Sequence, residues 1–102
     1  MNFNQLMKQA QQMQRKVNKV RKEYEEKVFD FESQQNIITG KMNGKLEIVE
    51  LNINEEYFNA ENKELVQDLL TVTLNETIQK INNDKEDTLN KVTNGVDVSA
   101  FL

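Results

Sequence analysis

Apolar residues recur every seven positions along the first quarter of the chain. Phe3, Ala10, Val17 and Tyr24 form one series, and Leu6, Met13 and Val20 form a second, three residues later. These are the a and d positions of a heptad, and they predict one long helix over about residues 3–27. Asn2 is placed to cap it, and Gln5 completes the spacing of a capping box. At 1.5 Å per residue such a rod is roughly 37 Å long. Its apolar seam has two kinds of partner open to it, a sheet or another helix, and the two are compatible.

The period then shortens. Phe29 and Phe31 alternate with Asp30 and Glu32, which predicts a strand over 28–33. Gln34-Gln35-Asn36 reads as a turn, and 37–42 as a second strand with Gly40 inside it. A glycine there implies a bulge or a close backbone approach. Asn43-Gly44 predicts a type I′ hairpin turn, and 47–53 a third strand with Val49, Leu51 and Ile53 on one face. Three antiparallel strands with one apolar face need a covering layer. A second long helix is expected from about Ala60 to Val92, capped by Asn59, with Glu61 and Glu64 near its positive end. Val66, Leu70, Leu74, Ile78 and Ile81 make its stripe, widened by Leu65, Leu69 and Val72. That arc is broader than one sheet requires, so a second buried surface, a partner chain, is inferred. Gly95 is a fitting stop, which leaves residues 1–95 as one domain and 96–102 as a mobile C-terminal tail.

Composition narrows the function. The 102 residues include no Cys, His or Pro and only three Gly. Thiolate metal sites, disulfides, the usual neutral-pH general base and a phosphate-cradling glycine loop are thereby excluded. No apolar run approaches the roughly 18–20 residues of a membrane span, and the polar opening does not read as a signal peptide. The expectation is an intracellular protein that is no enzyme, with no catalytic residue, metal, cofactor, small-molecule substrate or membrane partner. Adjacent acids such as Glu55-Glu56 and Glu86-Asp87 do not share a helix face and read as solvated charges. Leu, Ile, Val and Phe number 29 of 102, which gives a monomer a thin core and favours dimerisation.

The net charge of −4 argues against nucleic acid, but the charges are unevenly placed. Residues 1–27 hold seven basic and three acidic side chains, whereas the other 75 hold six and 14. Lys8, Arg15, Lys16, Lys19, Arg21 and Lys22 follow one another with no acid between them. In the heptad register Lys8, Arg15 and Lys22 fall at f, opposite the seam, Lys19 at c, and Lys16 and Arg21 at g and e. Gln and Asn fill most of the remaining face, so the rod offers cations and hydrogen-bonding groups to phosphates while its seam is buried. A solvated face, and a helix docking a partner helix as a protein-interaction adaptor, are the other readings.

The run Leu6-Met7-Lys8-Gln9-Ala10-Gln11-Gln12-Met13-Gln14 closely resembles the opening of the YbaB/EbfC family of bacterial nucleoid-associated proteins. Asn43-Gly44, the strand 49–54, the stretch 69–78 and Lys91-Val92-Thr93-Asn94-Gly95 are similar to later parts of that family, in the same order. Asn54-Glu55 stands where the family usually has Asp-Pro, and Gln34-Gln35-Asn36 replaces a glycine-rich stretch. The resemblance implies an α+β fold of long helix, three-stranded antiparallel sheet and long helix, assembled as an intertwined homodimer. It implies binding of double-stranded DNA with weak sequence preference, and a cytoplasmic, nucleoid-associated role that extends to gene regulation. Of the six basic residues only Lys8 lies inside the matched run.

Overall fold

The computed structural model describes residues 2–93. Two long helices, α1 (Phe3–Glu26) and α2 (Lys63–Val92), flank a three-stranded sheet of β1 (Val28–Glu32), β2 (Ile38–Asn43) and β3 (Ile48–Ile53). The sheet is an antiparallel meander in the order β1-β2-β3. The α+β expectation holds. The stop at Gly95 and the tail 96–102 lie outside the described residues.

The start of α1 follows its sequence signal. The Asn2 side chain accepts from Gln5 N at 2.8 Å, and Gln5 Oε1 accepts from Asn2 N at 3.3 Å. The box satisfies two groups that a helix terminus otherwise leaves unpaired. At α2 the expected cap acts one turn early. The Asn59 side chain accepts from Asn62 N at 3.0 Å and closes a 3₁₀ turn, Ala60–Asn62, from which α2 begins at Lys63 rather than Ala60.

The turn expected at Gln34-Gln35-Asn36 is there as a 3₁₀ turn, whereas the turn between β2 and β3 differs from expectation. Asn43 and Gly44 do not form a type I′ turn, because neither has positive φ. Asn43 closes a β-turn with Leu46 instead (Leu46 N to Asn43 O, 2.9 Å), and its side chain accepts from the backbone of Lys45 and Glu47. Leu46 takes the left-handed position, φ 67°, where its half-buried side chain packs on the core. The consecutive left-handed pair lies at Gln35 and Asn36, φ 58° and 55°. Asn enters that region readily, but Gln35 carries a penalty of about 1–2 kcal/mol. Glycine removes the penalty but loses more chain entropy on folding, about 0.5–1 kcal/mol. Gln35→Gly should therefore stabilise the protein by about 0.5–1 kcal/mol in a denaturant melt. A destabilised variant would show that the Gln35 side chain holds the turn.

The register decides which strand residues share the core face. Phe29 pairs with Met42, Phe31 with Gly40, Ile38 with Ile53 and Gly40 with Leu51. Gly40 permits a close approach, since a Cβ there would collide with the Glu50 carbonyl and lie 2.5 Å from Phe31 Cζ. The pairing then skips a residue, from Lys41–Glu50 to Met42–Ile48, leaving Val49 as a bulge. The apolar face of β3 is thus Ile48, Leu51 and Ile53, not the expected Val49, Leu51 and Ile53.

The main core joins Tyr24, Phe31, Ile37, Ile38, Met42, Val66 and Ile81. Val66 and Ile81 of the expected α2 stripe are buried, while Leu70, Leu74 and Ile78 are half-buried. Thr73 and Thr77 are buried as well, with the Thr77 hydroxyl satisfied by the Thr73 carbonyl at 2.6 Å. A smaller cluster beyond the sheet packs Val17 on Leu89, flanked by Met13 and Val20. The contacts of Tyr24 with Ile81 and Val17 with Leu89 make the helices antiparallel. The chain is elongated, 69 × 18 × 16 Å, with a radius of gyration of 19.2 Å. A compact chain of this length would have about 13 Å.

Candidate nucleic-acid interface

At about 100° per residue, Lys8, Arg15, Lys19 and Lys22 fall in one arc of α1, opposite the buried Val17 and Tyr24. All four are exposed. They form a ridge about 21 Å long from Lys8 to Lys22. Lys16 is exposed on one flank, whereas Arg21 lies on the other and is half-buried. The structure therefore gathers five of the six expected cations on open surface and sets Arg21 apart. Among the described residues none of the six is in an ion pair. Gln5, Gln9, Gln11 and Gln12 are exposed on the same helix, and Gln14 is engaged with Asn18 at 3.0 Å.

Within the single chain the seam beneath the ridge is buried over only part of its length. Its lower half, Met13 to Tyr24, packs on α2 and the sheet. Among the described residues its upper half has no cover: Phe3 is 74% exposed and Leu6 56%. Residue 17 already stands beside Leu89, so the end of α2 at Val92 leaves the first three turns of α1 beyond its reach. The Lys8 end of the ridge thus projects beyond α2, whereas Arg15, Lys19 and Lys22 lie on the outer face of the half of α1 that packs on it.

A cluster that the sequence does not reveal ties the base of α1 to α2. Tyr24 is 5% exposed, and its hydroxyl donates to Asp84 Oδ2 at 2.8 Å and to the Ile81 carbonyl at 2.9 Å. Lys27 Nζ stands 3.6 Å from Asp84 Oδ2, and 5.6 and 5.0 Å from the Tyr24 and Phe29 ring centres. Burial, then the hydrogen bond and charge of Asp84, push the Tyr24 phenol above its ordinary range. The hydrogen bond from Tyr24 outweighs partial desolvation and, with Lys27 and Lys91, holds the Asp84 carboxyl below the usual carboxylate range. Both shifts keep a neutral donor facing a charged acceptor near neutral pH.

Among the described residues, no helix is long and apolar enough to cross a membrane. The fold resembles that of an uncharacterised Helicobacter pylori protein, with a TM-score of 0.74 at 22% identity over 86% of this chain and 92% of that one. A nucleoid-associated protein of Clostridium novyi (strain NT) is 36% identical over all of this chain and 90% of its own length. A second, from Mycoplasmopsis pulmonis, is 38% identical over 79% of each chain. A third, from Chloroflexus aurantiacus, is 35% identical over 94% of this chain and 96% of its own length. Residues 1–96 match the family model described as the YbaB/EbfC DNA-binding family, and with these relatives the match shows that the chain belongs to that family.

Proposed function

We propose that the protein is a homodimer that binds duplex DNA through the basic ridge of α1, with weak sequence preference and no catalytic step. Its place is the nucleoid, in the cytoplasm, where it organises DNA and extends to gene regulation. The observation that carries this reading is the ridge itself: exposed cations with no acid between them, on a helix whose Lys8 end projects beyond α2, in a chain of a DNA-binding family. Phosphate contacts supply affinity without reading bases, so the ridge favours non-specific binding.

The uncovered apolar surface supports the dimer. α2 packs chiefly on β1 and β2, leaving Ile48 and Leu51 of β3 and Leu65 and Val72 of α2 exposed. A second copy placed there enlarges a core that the elongated protomer cannot close alone.

The test is a salt titration of binding to random and A/T-rich duplexes. Contact with about six phosphates gives a slope of log K against log salt near −5, similar for both sequences. No binding at low salt would overturn the proposal. The exposed Phe3, Leu6 and Met7 favour a second reading, an adaptor helix for a protein partner. Such a partner would stay bound in nuclease-treated lysate, whereas a nucleoid association would be lost.

A further inference from the structure

The ridge is useful only if the rod that carries it points in a defined direction, and few groups fix that direction. Beyond the sheet α1 is held by Val17 against Leu89, with Met13 and Val20 alongside. At its base the polar tie is the Tyr24 hydroxyl, shared between Asp84 Oδ2 at 2.8 Å and the Ile81 carbonyl at 2.9 Å. Lys27 braces the same carboxylate at 3.6 Å. The lever is long. Lys8 lies 16 residues from Tyr24, about 24 Å along the axis, so a tilt of about 10° at the base carries it about 4 Å. A charge-assisted hydrogen bond to phosphate requires about 2.7–2.9 Å.

We propose that Tyr24 and Asp84 are positioning residues for DNA binding: their hydrogen bond sets the angle between α1 and α2 and so places the cations of α1 for phosphates. The inference rests on α1 being the DNA-binding element. It also makes a prediction opposite in sign to simple electrostatics. Asp84→Asn removes a negative charge from an acidic body, and charge alone then predicts tighter binding to DNA. The positioning role predicts weaker binding, because an amide is a poorer acceptor for the Tyr24 hydroxyl and a weaker partner for Lys27.

The experiment uses Tyr24→Phe, Asp84→Asn and the double variant in the full chain, with folding monitored by circular dichroism. Tyr24→Phe keeps the ring in the core and all formal charges, so it loses only the hydroxyl. Two readouts are taken. The first is DNA affinity across salt, where each single variant should bind about three- to tenfold more weakly, with a shallower slope. The double variant should be no weaker than the worse single one, as expected when both changes break one bond. The second is the distance distribution between spin labels at Gln11→Cys and Asn90→Cys, both exposed positions in a chain without native cysteine. It should broaden in each variant without DNA present. Unchanged distributions, tighter binding by Asp84→Asn, or additive losses would overturn the proposal. If Asp84→Asn fails to fold, Tyr24→Phe decides alone; if Tyr24→Phe fails, Asp84→Asn does. Absence of DNA binding by the unmodified protein defeats the reading of α1 instead, and the label distances still report whether the hydroxyl sets the helix angle.

Discussion

Gly44→Ala is expected to destabilise the protein by about 3 kcal/mol, the upper end of what overpacking a filled site costs. The φ of Gly44 lies outside the left-handed region, so its role is to leave space. Its N–H donates to the Lys27 carbonyl at 3.0 Å, which draws the β2–β3 turn against the end of α1. A Cβ would run into the Tyr24 carbonyl oxygen and stand 2.8 Å from Cδ1 of its ring. Backbone cannot swing aside as a flexible side chain can. Either the last turn of α1 lifts or the turn releases it, and both disturb Tyr24 in the main core. Denaturant melts should show this loss against Lys45→Ala, an exposed neighbour whose change belongs within about 0.5 kcal/mol of the unmodified protein. Equal stability of the two variants would mean that the turn does not bear on α1.

The same contact shows where sequence reading succeeds and where it stops. Periodicity places α1, β1 and α2, and the Asn2–Gln5 box forms as its spacing predicts, because these signals depend on residues within one turn or one strand. The side of the sheet that Phe29 and Phe31 face is legible for the same reason. The bulge at Val49 is not, because it is a property of two strands together, and it puts Ile48 in place of Val49 on the side of β3 shared with Leu51 and Ile53. The Asn43-Gly44 pair carries a local turn signal, yet Gly44 serves a contact with a helix twenty residues earlier. The left-handed pair falls instead on Gln35-Asn36, where no glycine announces it.

The candidate site divides along the same line. Which cations share a face of α1 follows from helical spacing alone, and four of the six stand together as expected. That Arg21 is half-buried, and that the upper seam is uncovered among the described residues, depends on where α2 crosses and ends. The tie between Tyr24 and Asp84 spans 60 residues, and neither residue type at its position signals the other. Long-range polar pairs of this kind carry no periodicity, so only the packed fold shows them.

The Arg15→Ala, Lys22→Ala double variant should bind all duplexes about 50-fold more weakly at 0.1 M salt, with the slope reduced by about 2 units, since each lost phosphate contact removes about 0.9. The pair is chosen because both side chains are exposed on the ridge, opposite Val17 and Tyr24, and take part in no ion pair among the described residues. Their removal leaves the core intact, so the melting profile and sedimentation behaviour should stay as they are. Arg21→Ala is the internal comparison, because that residue is half-buried on the flank toward the seam. It should alter the slope less than either ridge residue does and stability more. Equal losses on random and A/T-rich DNA are expected, as phosphates carry no sequence information directly. A sequence-selective loss would assign base contacts to Arg15 or Lys22. A changed sedimentation coefficient would instead move the ridge from the DNA-facing side of the rod to a protein interface.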